Sequence, residues 1–327
     1  MSGYYFTLTI AERIWLDCQV RYDPSEEIIV TPGVKQGLWY VFTALLNEGE
    51  EVLTPEPSWV SYSAAVSLAG GKLIQVPTAA EDNYFPSKEQ WEQHITPKTR
   101  LILLNTPCNP TGRVYSKEEL TIVAELAKEH DLIVVSDEVY ARIIFDSNVF
   151  ISIAALDGMR ERTIVANGFS KAYAMPGFRV GYLAGPAPII DLCGLINQHT
   201  ITCVGAMNQH GALAALTGRQ DWVNEMVVAY EQRRDYVVQA LRSNEKLHWH
   251  APEGTFYGWI DLGSVICEDP RDISQRLLKY CGIVAVSGDA FGQSQKEYVR
   301  VSFAVDDETV VKAADILAGL SNLPQKY

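Results

Sequence analysis

The chain has 327 residues, 47% of them hydrophobic, and a formal net charge of −13. That size can bury one large core or two domains, while the acidic balance argues against nucleic acid or an anionic membrane as main partner, since both recruit basic surfaces. No apolar run of about 18 residues and no charged-then-apolar leader occurs, so neither a transmembrane helix nor a secretory signal is expected, and the chain is expected in the cytosol.

Six cysteines, Cys18, Cys108, Cys193, Cys203, Cys267 and Cys281, are scattered without a CxxC pair. That spacing disfavours a zinc site and a disulfide framework and predicts reduced packing residues.

In chain order, residues 35–46 repeat apolar side chains at Leu38, Phe42 and Leu45 and predict a helix. Gly33 and Val34 open it, and its free N–H groups suit a phosphate. Short apolar runs at 51–55, 72–77, 101–105, 132–137, 163–166 and 180–184 predict buried strands. Ser116 followed by Glu119 forms a capping box for a helix leading into the strand at 132. The alternation predicts an α/β fold, with a mainly parallel central sheet and helices on both faces.

Beyond about residue 218 the pattern changes. A long helix over 220–243 leads to short strands near 256–262, 283–286 and 298–304, and a closing helix over 307–320. This predicts a large domain over 1–218 and a smaller α+β C-terminal domain over 219–327, closely docked because no flexible linker separates them.

Ligands of open parallel sheets sit outside the carboxyl ends of the strands. Asn109, Asp137, Tyr140 and Lys171 fall at such ends. Taken singly, each has an ordinary reading: a loop lysine, a capping aspartate, a β-turn at NPTG.

Four segments change that reading. NPTG (109–112), SDEVY (136–140), NGFSKAYAMPGFRVGY (167–182) and YVRVSFA (298–304) resemble, in order and spacing, the class I/II aminotransferases of pyridoxal-phosphate fold type I, aspartate aminotransferase-like members included. The similarity runs from about residue 8 to the C-terminus.

The resemblance implies pyridoxal 5'-phosphate as cofactor, with amino acids and 2-oxo acids as substrates in a ping-pong cycle. It matches Lys171 to the Schiff-base lysine, whose amine, partly desolvated, is a nucleophile and proton shuttle. Asp137 matches the carboxylate partner of the pyridine nitrogen, and Tyr140 and Asn109 match the pair on the phenolic oxygen. Arg179 matches the phosphate arginine, whose planar fork suits a dianion, and the backbone at Gly33, Val34 and Lys35 completes the phosphate cup. The resemblance also implies Ser170 among the cofactor contacts, although Gly168 stands where relatives often carry a phosphate-binding serine. Trp59 matches the aromatic that stacks on the ring; alone it reads as a core tryptophan. Arg300, with Asn109, matches the site of the substrate α-carboxylate; alone it reads as a solvent-facing strand residue. Lys35 matches a lysine that some aspartate-type members carry near the distal carboxylate of acidic substrates, which makes an aspartate- or glutamate-like donor the first expectation, with methionine, aromatic and alanine-type donors open; alone it reads as a helix-start lysine.

The family places each site at a subunit interface, which implies a homodimer. Its usual N-terminal arm finds no room before a helix expected from Thr7–Leu8, so a more open site and weaker activity are expected. The same scaffold also supports C–S β-elimination, and a cofactor-binding homologue with little activity is a further alternative. A cofactor-sensing regulator would need a basic DNA-binding segment ahead of the domain.

Overall fold

The computed structural model describes residues 3–265 and 273–320. Cys267 lies outside them.

The strands of the main sheet are β1 (Ile28–Thr31), β2 (Glu51–Pro55), β3 (Lys72–Val76), β4 (Thr99–Asn105), β5 (Ile133–Asp137), β6 (Thr163–Gly168) and β7 (Gly181–Ala184). They lie in the order β1-β7-β6-β5-β4-β2-β3, parallel from β3 through β6, with β7 antiparallel to both neighbours. Strand β1 has no counterpart among the expected strands: it is four residues long, stops at Pro32–Gly33, and reads as a strand only through its pairing with β7.

Helices α1 (Gly3–Cys18), α2 (Val34–Leu45), α3 (Ser61–Leu68), α4 (Lys88–His94), α5 (Lys117–Glu129), α6 (Ala187–Thr200) and α7 (Ala206–Thr217) surround this sheet. Alternation along β4 shows why both faces need cover. Leu101 and Leu103 pack in one apolar cluster with Leu38 and Phe42 of α2, whereas Ile102 and Leu104 pack in another with Leu120 and Val123 of α5. The capping box of α5 forms, with Glu119 N–H donating to Ser116 Oγ and Ser116 N–H to Glu119 Oε2. Helix α1 begins at Gly3, four residues before the expected start.

Helix α8 (Asp221–Leu241) leads to β8 (His248–Trp249), β9 (Tyr257–Asp261), α9 (Ile273–Arg276), β10 (Val286–Ser287), β11 (Tyr298–Ser302) and α10 (Asp307–Ala318). The four strands form an antiparallel sheet in the order β10-β11-β9-β8. The strand expected over 283–286 shortens and shifts to Val286–Ser287, because the chain leaves the preceding helical turn at Gly282 with φ 69° and only Val286 and Ser287 reach β11. Arg234 of α8, buried, forks onto Asp146 of the main body at 2.6 and 2.9 Å, which docks the smaller sheet. No helix among the described residues is long and apolar enough to cross a membrane.

Candidate active site

Parallel strands bring their carboxyl ends to one edge, and the register sets Asn105 of β4 beside Asp137 of β5, and Asp137 beside Ala166 of β6. At that edge a cleft of about 230 Å³ is lined by Val34, Lys35, Trp59, Asn109, Asp137, Tyr140, Ser170, Lys171 and Arg179, all named from the sequence, together with Tyr62, Asn105, Val139, Pro176 and Tyr257. Gly33 and Arg300 adjoin the cleft through Arg179 and Asn109.

Asp137 is buried on the floor of the cleft. Its Oδ2 accepts the Tyr62 hydroxyl at 2.8 Å and its Oδ1 the Val139 N–H at 3.3 Å. Burial pushes its carboxyl up to about 6, while those two hydrogen bonds and the charge of Lys171 oppose the rise. Tyr62 is also buried, and its hydroxyl is pushed up by burial and by the facing carboxylate.

Lys171 sits in the loop after β6, which is knitted by Phe169 N–H to Val180 C=O, Met175 N–H to Phe169 C=O and Ala174 N–H to Lys171 C=O. Its Nζ lies 5.6 Å from the ring centre of Tyr140 and 5.1 Å from that of Phe256, and it has no carboxylate partner among the described residues. The Tyr140 hydroxyl donates to Tyr257 Oη at 3.2 Å, and burial raises it well above the ordinary phenol range.

Arg179 adopts the left-handed conformation, φ 51°, and donates to Pro176 C=O. Its guanidinium reaches the start of α2, where Gly33 has φ 85° and a Cβ would stand 2.5 Å from Arg179 Nη2. The glycine therefore lets a planar cation and the free N–H groups of a helix N-terminus face the same spot. Close packing also accounts for Gly168. A Cβ there would lie 2.8 Å from Gly181 Cα, so a serine has no room and the hydroxyl often found at this position in the family is absent.

Arg300 reaches over from β11. Its Nη1 donates to Asn109 Oδ1 at 2.9 Å, and its guanidinium lies 4.3 Å from the Tyr257 ring centre and 5.0 Å from that of Phe291. An arginine only donates, so Asn109 turns its carbonyl to Arg300 and keeps its amide hydrogens for another acceptor. Lys35, exposed, holds its Nζ 4.9 Å from the ring centre of Trp59.

Lys35, Lys171, Arg179 and Arg300 thus gather around Asp137, the one lining carboxylate among the described residues, in a chain of net charge −13. Such a concentration of positive charge draws anions. The arrangement fits pyridoxal phosphate: an arginine with a helix N-terminus can hold the phosphate, a buried carboxylate can pair with the ring nitrogen, and the Lys171 side chain lines the same cleft.

Tyr62, Asn105 and Tyr257 were not named from the sequence. Asn105 ends β4 and was within reach of the strand-end rule. Tyr62 carries only the weak signal of lying three residues after Trp59, and Tyr257 lies in the other sheet.

Comparison with known proteins agrees over nearly the whole chain. The sequence model of the family described as Aminotransferase class I and II matches residues 6–317. The aspartate aminotransferase of Musicola paradisiaca is 39% identical over 309 residues, covering 94% of this chain and 77% of that protein. Aromatic-amino-acid aminotransferase 2 of Thermococcus litoralis is 40% identical, with 94% and 79% covered. The crystal structure of the aromatic aminotransferase from Pyrococcus horikoshii superposes with a TM-score of 0.91 at 39% identity, with 96% of this chain and 84% of that chain covered.

Proposed function

Since the chain belongs to the class I and II aminotransferases, and is with them a pyridoxal-phosphate-dependent enzyme that moves amino groups between amino acids and 2-oxo acids, we propose that Lys171, Asp137, Tyr140, Asn109, Arg179 and Arg300 carry that reaction here. The observation behind this reading is the unpaired Lys171 amine sharing one cleft with the buried Asp137.

When bound, the cofactor supplies a carbonyl carbon that accepts nitrogen and an electron-withdrawing ring. Lys171 then moves the proton on and off the substrate α-carbon. Asp137, ionised, keeps a proton on the ring nitrogen. Tyr140 and the Asn109 amide orient the phenolic oxygen, Trp59 covers the ring, and Arg179, Ser170 and the backbone at Gly33–Lys35 hold the phosphate. Arg300 takes the substrate α-carboxylate in a bidentate pair. In the Lys171→Ala variant the visible absorption of the bound cofactor should shift and turnover should vanish; an unchanged spectrum removes Lys171 from the site.

For the donor we favour an acidic amino acid, because Lys35 stands exposed at the cleft without a carboxylate partner among the described residues. Faster amino-group transfer from L-phenylalanine than from L-aspartate would overturn that preference.

Residues 1–218 form the cofactor-binding domain and 219–327 the smaller domain, as the two sheets suggest. The enzyme works as a homodimer: Val60 beside Trp59, Phe178 beside Arg179 and Met207 one turn before Gly211, which touches Phe178, are apolar and exposed near the cleft. Light scattering that gives a monomer mass would refute this. It resides in the cytoplasm, in keeping with free thiols at Cys18, Cys108, Cys193, Cys203 and Cys281, and recovery of the protein outside that compartment on cell fractionation would refute it.

A further inference from the structure

Arg300 lies on β11 of the smaller sheet and Trp59 in the loop after β2 of the main sheet, so something must fix their separation. The loop between β10 and β11 crosses from the smaller sheet to the ends of β2 and β3. There the Phe291 carbonyl accepts the Ser58 N–H at 3.0 Å and the Gln75 Nε2 amide at 2.7 Å, immediately before Trp59 in the chain. Glu56 Oε1 accepts both the N–H and the hydroxyl of Ser294, at 2.8 and 2.9 Å. Gln295 Nε2 donates to Thr78 C=O at 3.2 Å. The fit is close, since a Cβ on Gly292 would lie 2.2 Å from the Glu56 side chain.

The same Phe291 supports Arg300. Its ring is 1% exposed, meets Trp259 edge-on at 5.3 Å, and carries the Arg300 guanidinium 5.0 Å from its centre. One residue therefore holds the segment leading into Trp59 with its backbone and the arginine with its ring.

We propose that Phe291 and the Glu56–Ser294 hydrogen bonds form a clasp that positions Arg300 relative to Trp59, and so sets how tightly the enzyme takes the α-carboxylate of every substrate. This rests on the reading of Arg300 as the carboxylate-binding residue. Glu56, Phe291 and Ser294 act through Arg300 and are positioning residues.

The carboxylate of Glu56 is used only as an acceptor, so an amide oxygen can replace it. The test uses the enzyme reconstituted with pyridoxal phosphate and two donors that share only the α-amino-acid group, L-aspartate and L-phenylalanine. Glu56→Ala and Phe291→Leu should each raise KM about tenfold for both donors, equivalent to about 1.4 kcal/mol of binding. The kcat should stay within about twofold of wild type, with cofactor affinity by tryptophan quenching unchanged. Glu56→Gln should restore KM to near the wild-type value. A lowered Tm with wild-type KM in Glu56→Ala, or a Glu56→Gln variant as impaired as Glu56→Ala, overturns the clasp. Arg300→Ala separates the two readings. Unchanged KM in that variant removes the site assignment beneath the proposal, whereas raised KM there with normal KM in the Glu56 and Phe291 variants removes the clasp alone.

Discussion

Tyr62 donates its hydroxyl proton to Asp137 at 2.8 Å, across 75 positions of sequence, and both side chains are buried. The bond favours the ionised carboxylate, which burial disfavours and which stands near 6 as a result. Removing it in Tyr62→Phe should move that carboxyl further up, since a hydrogen bond to a charged group contributes roughly 1.5–3 kcal/mol. Cofactor affinity, which requires the charged form, should then fall away at a correspondingly higher pH as the solution is acidified. Titrating the cofactor dissociation constant between pH 5 and 8 measures the displacement, and coincident curves would show that Tyr62 does not tune Asp137.

Glu138 does not line the cleft. It is fully buried, its Oε1 accepts the hydroxyls of Ser136 and Ser152, its Oε2 has no hydrogen-bond partner among the described residues, and burial pushes it up to about 7. A carboxyl raised on folding binds more protons in the native state than in the unfolded chain, so its contribution declines as pH rises from the ordinary glutamate range to about 7. Glu138→Gln has no charge to lose. Relative to wild type, the variant should gain on the order of 3 kcal/mol between pH 4 and pH 8. Parallel denaturation midpoints across that range would refute the assignment.

Gly33 tests the phosphate cup. Alanine there meets both a φ of 85° and a Cβ 2.5 Å from Arg179 Nη2, so Gly33→Ala should lose about 1–3 kcal/mol of stability. It should also release the cofactor faster on dialysis, because the guanidinium must move. Retention equal to wild type would show that Arg179 does not hold the phosphate from this position.

Arg300→Ala removes a charge-assisted pair and should raise KM for every amino acid by the equivalent of about 1.5–3 kcal/mol. Arg300→Lys should recover only part of the loss, since an ammonium cannot reproduce the fork on Asn109 and carboxylate together. Steady-state kinetics on both variants decide this, and full recovery by lysine would argue against bidentate recognition.

The amino-acid sequence by itself determined the strands β2 to β7, the helices α2, α5, α8 and α10, and the positions of Lys171, Asp137 and Asn109 at strand ends. Apolar runs, helical spacing and a capping box act between residues close in the chain, and a strand end needs no partner to be recognised. What tertiary structure alone decided lies where distant segments meet: Tyr62 on Asp137, Tyr257 under Arg300, Gly168 against Gly181, and Phe291 joining Ser58 to Arg300. Strand β1 and the shortened β10 belong with these, because a strand of two to four residues is defined by its partner's hydrogen bonds and not by its own pattern. Each such contact joins residues whose nearness depends on the order of strands in the sheet and on the docking of the second sheet, and short-range sequence patterns carry no record of either.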